Sequence, residues 1–341
     1  MLRRSIFICL LLATVFSSCS TEDVEEIGTN SNNFQVPSGF PAIQFPEDNA
    51  LTEARWKLGK LLFYDQALSR DSTLSCATCH KPDHAFADNK TTTPGIEQRP
   101  GTRNVPSLTN IAYHPYFLRE GGVPSLEMQV LVPIQEHNEF DFNIIPLQER
   151  LSKNPLYQSL SLEAYGRELD YYVIPRAIAT FERSLLSGNS KYDKFTAGNS
   201  TILSAEEQLG RTLFFSNRTN CSACHGGFNF TNYQFQNNGL YKEYQDPGRF
   251  RLTSEAKDSA LFKVPSLRNV EYTAPYMFDG SLETLEEVIA HYNKGGKNHT
   301  NQSPLVKPLK LTRDEQKALV AFLKSLTDKA FITNKKFQNE E

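Results

Sequence analysis

Two Cys-x-x-Cys-His pentapeptides, Cys76-Ala77-Thr78-Cys79-His80 and Cys221-Ser222-Ala223-Cys224-His225, carry the chemistry of this 341-residue chain. In each, the two thiols have the spacing to form thioether bonds with the vinyl groups of one haem, and the adjoining imidazole can bind its iron. Zinc ribbons also use spaced Cys pairs, and dithiol oxidoreductases use Cys-x-x-Cys alone. A His directly after the second Cys, present in both copies, favours c-type haem over either. Two such sites mean two irons.

The elements that must hold these sites repeat as well. Lys57-Leu58-Gly59-Lys60-Leu61-Leu62-Phe63-Tyr64, upstream of the first pentapeptide, corresponds to Gln208-Leu209-Gly210-Arg211-Thr212-Leu213-Phe214-Phe215 upstream of the second. Downstream, Val105-Pro106-Ser107-Leu108-Thr109-Asn110 corresponds to Val264-Pro265-Ser266-Leu267-Arg268-Asn269. The shared order points to a duplicated cytochrome unit. Both pre-haem segments read as helices. Ser204-Ala205-Glu206-Glu207 has the pattern of a capping box, followed by Leu209, Leu213 and Phe214 at helical spacing. Thr312-Arg313-Asp314-Glu315 opens another helix, with Leu319, Phe322, Leu323 and Leu326 along one apolar face. These stripes are assigned to the core. Pro-Gly pairs at Pro94-Gly95, Pro100-Gly101 and Pro247-Gly248 mark long loops. The expected fold is mainly α with little sheet. It comprises two cytochrome c-like haem domains, 46–190 and 191–335, meeting where Gly188-Asn189-Ser190 and Gly198-Asn199-Ser200 interrupt the helical pattern.

An apolar fraction of 39% is ample for two globular cores in a chain of this length. A net charge of −3 offers no electrostatic footprint for nucleic acid. Four of the six cysteines belong to the pentapeptides and the others, Cys9 and Cys19, lie near the N-terminus, so no structural disulfide is expected. Met1-Leu2-Arg3-Arg4, an apolar run from Ile6 to Phe16, and Ser17-Ser18-Cys19 read as a secretory signal over 1–18. It resembles a bacterial lipoprotein signal, with Cys19 as the lipidated residue, although Phe16 departs from the aliphatic residue usual three places before such a Cys. Residues 19–45, polar and aperiodic, read as a flexible tether. The protein is therefore expected to be exported, to the periplasm or cell envelope, and lipid-anchored.

From Leu51 to Leu326 the chain resembles the bacterial di-haem cytochrome c peroxidases, the family that includes the methylamine-utilisation protein MauG. The resemblance implies a peroxidase in which hydrogen peroxide meets the N-terminal haem. The C-terminal haem would handle electrons from a small donor, a cytochrome c or a cupredoxin. It also implies that His80 and His225 are the proximal ligands. The stretch Leu126 to Glu139 is similar to one that carries a Gln and an acid over the peroxide-binding face, here Gln129 and Glu139. Splitting the O–O bond requires moving a proton from one peroxide oxygen to the other, and a positioned carboxylate can accept and return it. His137, where relatives tend to have Pro, reads either as a second proton carrier or as a surface residue. His84, His114 and His299 read as surface residues.

Four departures from the family pattern bear on function. Many relatives close the first haem at rest with a distal His before the Arg-Asn pair seen here as Arg103-Asn104; the matching position is Ile96, so an open first haem is expected, as in the MauG branch. Where many relatives place a Met on the second iron, the match is Tyr292, with Met277 and His291 as competing candidates. A phenolate favours oxidised iron, whereas a thioether raises the potential. Third, Arg119 stands in the place of the family's inter-haem Trp. The single Trp of the chain, Trp56, reads as core, leaving Tyr113 or Tyr116 as substitute relays. The family also holds calcium between the haems. Its ligands match Asn104 by side chain and Thr273 and Pro275 by backbone carbonyl, a hard-oxygen set. The fourth departure is His137 itself. Ile96 and Tyr292 favour an alternative function, a MauG-like oxidase that uses peroxide to modify residues of a partner protein. A non-catalytic electron carrier is a third reading, and relatives often form homodimers.

Overall fold

The computed structural model describes residues 34–339. Thirteen α-helices occur among them: α1 (Glu53–Tyr64), α2 (Cys76–Cys79), α3 (Leu126–Gln135), α4 (Ile144–Leu151), α5 (Pro155–Tyr165), α6 (Val173–Arg183), α7 (Lys191–Thr196), α8 (Ala205–Phe214), α9 (Cys221–Cys224), α10 (Phe250–Thr253), α11 (Leu285–Lys294), α12 (Arg313–Lys324) and α13 (Lys329–Ile332). The sheet among the described residues is two strands, β1 (Phe235–Gln236) antiparallel to β2 (Phe262–Lys263). The mainly α expectation holds.

Each half is built on one helix crossing. A Cβ at Gly59 of α1 would lie 1.9 Å from the Ala177 carbonyl oxygen of α6, and one at Gly210 of α8 would lie 1.8 Å from that of Ala318 in α12. The repeated Leu-Gly thus marks the point where two backbones touch and no side chain fits. Beside each crossing sits a triad of buried rings. Phe63, Phe86 and Phe181 have centroids 5.0–6.5 Å apart, and Phe214, Phe230 and Phe322 have centroids 5.1–6.3 Å apart. Burying one such ring contributes roughly 1.5–3 kcal/mol.

The capping boxes at Ser204 and Thr312 form as the sequence indicates. Trp56 is core, its indole N–H donating to Ser184 Oγ at 2.8 Å. Four expectations are corrected. Leu209 is 45% exposed, because α8 turns only the Gly210, Leu213 and Phe214 face toward α12. The segment expected to interrupt the helices at the boundary contains α7, started by a capping box between Ser190 and Asp193. The described part of the expected tether is packed rather than free: Phe34 and Ile43 are buried, and the Phe40 ring lies 4.7 Å from Phe228. Finally, Phe331 and Ile332, assigned to the second domain, complete the core of the first half together with Phe337. The signal, Cys9 and Cys19 lie outside the described residues.

The halves are tied by buried amides. Asn110 Nδ2 donates to the Ser187 carbonyl and to Asn229 Oδ1, both at 3.0 Å, and Asn269 Nδ2 donates to Ser187 Oγ at 3.0 Å. Asp328 accepts from the backbone N–H groups of Gly188 and Asn189 at 3.1 and 2.9 Å.

Candidate functional site: two haem cradles

Each pentapeptide forms one helical turn that ends on its histidine. The His80 N–H donates to the Cys76 carbonyl at 2.9 Å and the His225 N–H to that of Cys221 at 2.8 Å. The turn of α2 is fixed by reciprocal bonds between Ser75 and Thr78. His80 Nδ1 lies 2.8 Å from the Phe86 carbonyl oxygen, and His225 Nδ1 lies 3.1 Å from that of Phe230. With the proton on Nδ1 held by a carbonyl, the Nε2 lone pair is left for a metal. Burial lowers both imidazole pKa values, which favours the neutral, ligating form. Phe86 and Phe230 adopt φ of 59° and 50°, a left-handed conformation that turns their carbonyls back onto the histidines. The ring triads lock these two residues in place. Two thiols and one oriented imidazole fit a thioether-bound haem in each half, and the first half adds a cavity lined by its pentapeptide.

The first cavity, about 450 Å³ with its mouth, is lined by Cys76, Cys79, His80, Gln129, Pro133, Glu139 and Glu182, so the sequence-assigned residues of this site do converge. Glu139 keeps accessible surface, but it opens on this cavity, and the protein packed around the carboxyl together with the charge of Glu136 raises its pKa to about 7. Its loop is clamped by the segment at Ile96. The Ile96 N–H donates to the Glu139 carbonyl at 3.0 Å, and a Cβ at Gly95 would meet the Asn138 oxygen at 1.9 Å. Ile96 itself is buried and aliphatic, with no lone pair to offer a metal. Gln129 rides on α3, which is pinned to α6 by the two-pronged pair of Glu127 with Arg183, at 2.5 and 2.9 Å, and by Asn49 on Glu127 at 2.8 Å. His137 is on the surface, 69% exposed, between Arg99 and Asp141.

Glu182 is the cavity residue that sequence reasoning missed. It is 5% exposed, its Oε2 has no hydrogen-bond partner, and burial raises its pKa to about 8, which keeps it protonated at neutral pH. The available signal was an acid ending the apolar stretch Ile178-Ala179-Thr180-Phe181.

In the second half Tyr292 is half-buried near Cys221 and Cys224, and the protein packed around its hydroxyl pushes its pKa up to about 12. Asn238 stands between the two leading candidates for the iron: its Nδ2 lies 3.2 Å from Met277 Sδ and 3.5 Å from the Tyr292 hydroxyl. His291 places Nε2 3.0 Å from the Asn238 carbonyl and is occupied there.

The seam between the halves departs most from expectation. Asn104 is buried, its N–H donating to the Phe278 carbonyl at 2.9 Å and its Nδ2 to that of Lys90 at 3.1 Å. Its own carbonyl oxygen accepts from Arg119 Nη2 at 2.6 Å, and its Oδ1 lies 3.4 Å from the same nitrogen. Thr273 directs its hydroxyl to the Val270 carbonyl at 3.3 Å, and Pro275 lines a separate cavity with His84 and Asn89. A guanidinium already faces the Asn104 oxygens, so the Asn104 side chain does not fit the expected calcium. Of the substitute relays, Tyr113 donates to the Pro41 carbonyl at 3.0 Å and Tyr116 to that of Tyr233. His114 is not a surface residue: its Nε2 is buried and unpartnered. His299 is half-buried, its ring 5.1 Å from Tyr244.

Two cradles on duplicated helix crossings define a di-haem c-type cytochrome architecture. A family model described as di-haem cytochrome c peroxidase matches residues 53–201, and one described as cytochrome c matches 207–327. The chain is 35% identical to the methylamine utilization protein MauG of Methylorubrum extorquens, over 93% of this chain and 89% of that protein. It is 31% identical to the cytochrome-c peroxidase IdrP1 of Denitromonas iodatirespirans, over 95% and 93%. Among solved structures, that of a MauG-like protein associated with microbial copper homeostasis matches with a TM-score of 0.86 and 31% identity, covering 90% of this chain and 99% of that one. The chain belongs to the di-haem cytochrome c peroxidase family and is a two-haem oxidoreductase of peroxidase type.

Proposed function

We propose that this protein reduces hydrogen peroxide to water at the first cradle, with electrons delivered through the second from a small cytochrome c or cupredoxin. The observation that carries the reading is Glu139, a carboxyl with a pKa near 7 facing the same cavity as His80. When bound, the haem supplies an iron that accepts peroxide and passes electrons to it. Glu139, in its carboxylate form, takes the proton from one peroxide oxygen and returns it to the departing one. Gln129, on the pinned helix α3, hydrogen-bonds and orients the peroxide. His80 stays neutral, its Nδ1–H held by Phe86. Ile96 leaves the first site without the resting His of many relatives, so the oxidised protein reacts without prior reduction. Tyr292, whose hydroxyl lies near Asn238, would hold the iron of the second haem, and a phenolate there would favour its oxidised state.

A second reading, peroxide-dependent modification of a partner protein, is favoured by Tyr292 and Ile96 together, since both follow the MauG branch. Export and lipid attachment at Cys19 follow from the sequence signal alone and are part of the proposal, as is a homodimer by likeness to relatives. Calcium is left out of the scheme. Steady-state consumption of peroxide with a reduced cytochrome or copper protein tests the main reading. Turnover supports it; peroxide consumption that depends on a protein substrate and leaves a mass change on that substrate supports the second.

A further inference from the structure

The seam between the halves holds positive charge that the protein does not pair. Arg103 is matched by Glu120 at 2.5 Å and by both oxygens of Asp246 at 2.7 and 3.0 Å. Asp279 accepts from the Tyr241 hydroxyl at 2.7 Å. Arg119 and Lys263 have no ion-pair partner among the described residues. Arg119 Nη2 instead sits on the Asn104 carbonyl, while its Nε is buried without an acceptor. Lys263 Nζ donates to the Tyr116 carbonyl at 2.7 Å and lies 3.3 Å from His114 Nδ1, and the other ring nitrogen of His114 is also buried and unpartnered. Burial pulls the Arg119 pKa down to about 10, which leaves the guanidinium charged at neutral pH.

A half-buried cation whose Nε–H is buried without an acceptor calls for an anion. The haem supplies one chemically, since its two carboxylates lie on the edge opposite the vinyl groups that the cysteines hold. Calcium, by contrast, asks for six to eight oxygens at about 2.3–2.6 Å. The Nδ2 bond to Lys90 fixes the Asn104 amide with Oδ1 toward Arg119, so a divalent ion on that oxygen would lie against a positive charge.

We propose that Arg119 is the cation between the two haems of this protein. Its guanidinium takes the place on Asn104 that calcium holds in relatives, and its free Nε–H, with Lys263, binds haem carboxylates, so that no calcium is needed there. The inference rests on the two-haem reading, which haem counting tests separately.

The experiment uses holoprotein purified with and without a calcium chelator. Haem is counted by pyridine haemochrome, calcium by mass spectrometry of the metal, and both reduction potentials are measured with chelator or with added calcium. The expected result is two haems, calcium far below one per chain, and potentials that neither treatment moves. Arg119→Trp is expected to acquire chelator-sensitive calcium and shifted potentials, while Arg119→Lys, which keeps the charge, stays calcium-free. One calcium per wild-type chain, with spectra or potentials that change on chelation, overturns the proposal. So does an Arg119→Trp holoprotein whose potentials match the wild type. If Arg119→Trp loads no haem, the wild-type calcium content and chelator response decide alone. Fewer than two haems in the wild type would instead defeat the reading beneath it.

Discussion

Helices α3 and α11 are the same helix used twice, and the proposed division of labour between the two haems rests on the difference between them. Each runs for ten residues, from Leu126 after a Ser125 cap and from Leu285 after a Thr284 cap. Each is preceded by the same turn, with the paired bridges Phe117–Val123 and Tyr276–Leu282 and with Leu118 and Met277 at φ of 65° and 78°. In this register the eighth residue is Pro133 in the first half and Tyr292 in the second, and the fourth is Gln129 in the first and Val288 in the second. One frame therefore offers a phenol near its pentapeptide. The other offers a ring that cannot ligate, plus an amide and, from the loop beyond, a carboxyl. Duplication supplied two equivalent pentapeptide sites, and on the proposed function a few side chains on one helix face make one a store for electrons and the other a place for peroxide.

The largest expected effect comes from erasing that difference. Pro133→Tyr should give the first half the phenol of the second and abolish peroxide turnover while both haems remain attached; turnover near the wild-type rate would break the comparison. Glu139→Gln should lower kcat by roughly 10²–10⁴. In the wild type the rate should climb with pH through about 7 as this carboxyl ionises and becomes able to accept a proton, and a pH–rate profile of the variant should lack that limb.

Smaller effects sharpen the contrast. Tyr292→Phe should alter the ligation spectrum of one haem and leave the other as it was; an unchanged spectrum would move the assignment to Met277. Glu182 has a pKa raised from 4.5 to about 8, so the stability gained by holding its proton is complete below about 4.5 and is lost as pH rises through about 8. Each unit of such a shift is about 1.4 kcal/mol. Thermal melts of Glu182→Gln should match the wild type near pH 5 and exceed it by a few degrees above pH 8. Equal melts at both pH values would show that Glu182 finds a partner once the haem is in place.

The parts legible in the sequence were those written in short spans. The pentapeptides, the Leu-Gly repeat, and the boxes at Ser204 and Thr312 each lie within about eight residues, and each formed as read. Glu139 and Gln129 were found through resemblance, and the cavity joins them to His80. What stayed hidden depends on distant pairs. Asn49 reaches Glu127 and Arg176 across most of the first half, Asn238 serves both Met277 and Tyr292, and Phe337 returns from the C-terminus to pack on Phe86. His114 reads as a surface residue in sequence because nothing local shows that Lys263, far along the chain, closes over it. The fit of calcium failed for the same reason: Asn104 is present as the family pattern asks, but which group faces its oxygens is settled by Arg119 in three dimensions.

Only the first of the two duplicated cradles is expected to be open to an outside ligand. Optical and electron paramagnetic resonance spectra of the oxidised holoprotein, before and after cyanide and then one equivalent of peroxide, test it directly. The expected result is one high-spin haem that binds cyanide and reacts with peroxide, beside one low-spin haem that ignores cyanide. Two low-spin haems that both resist cyanide would contradict it, as would two that both bind it.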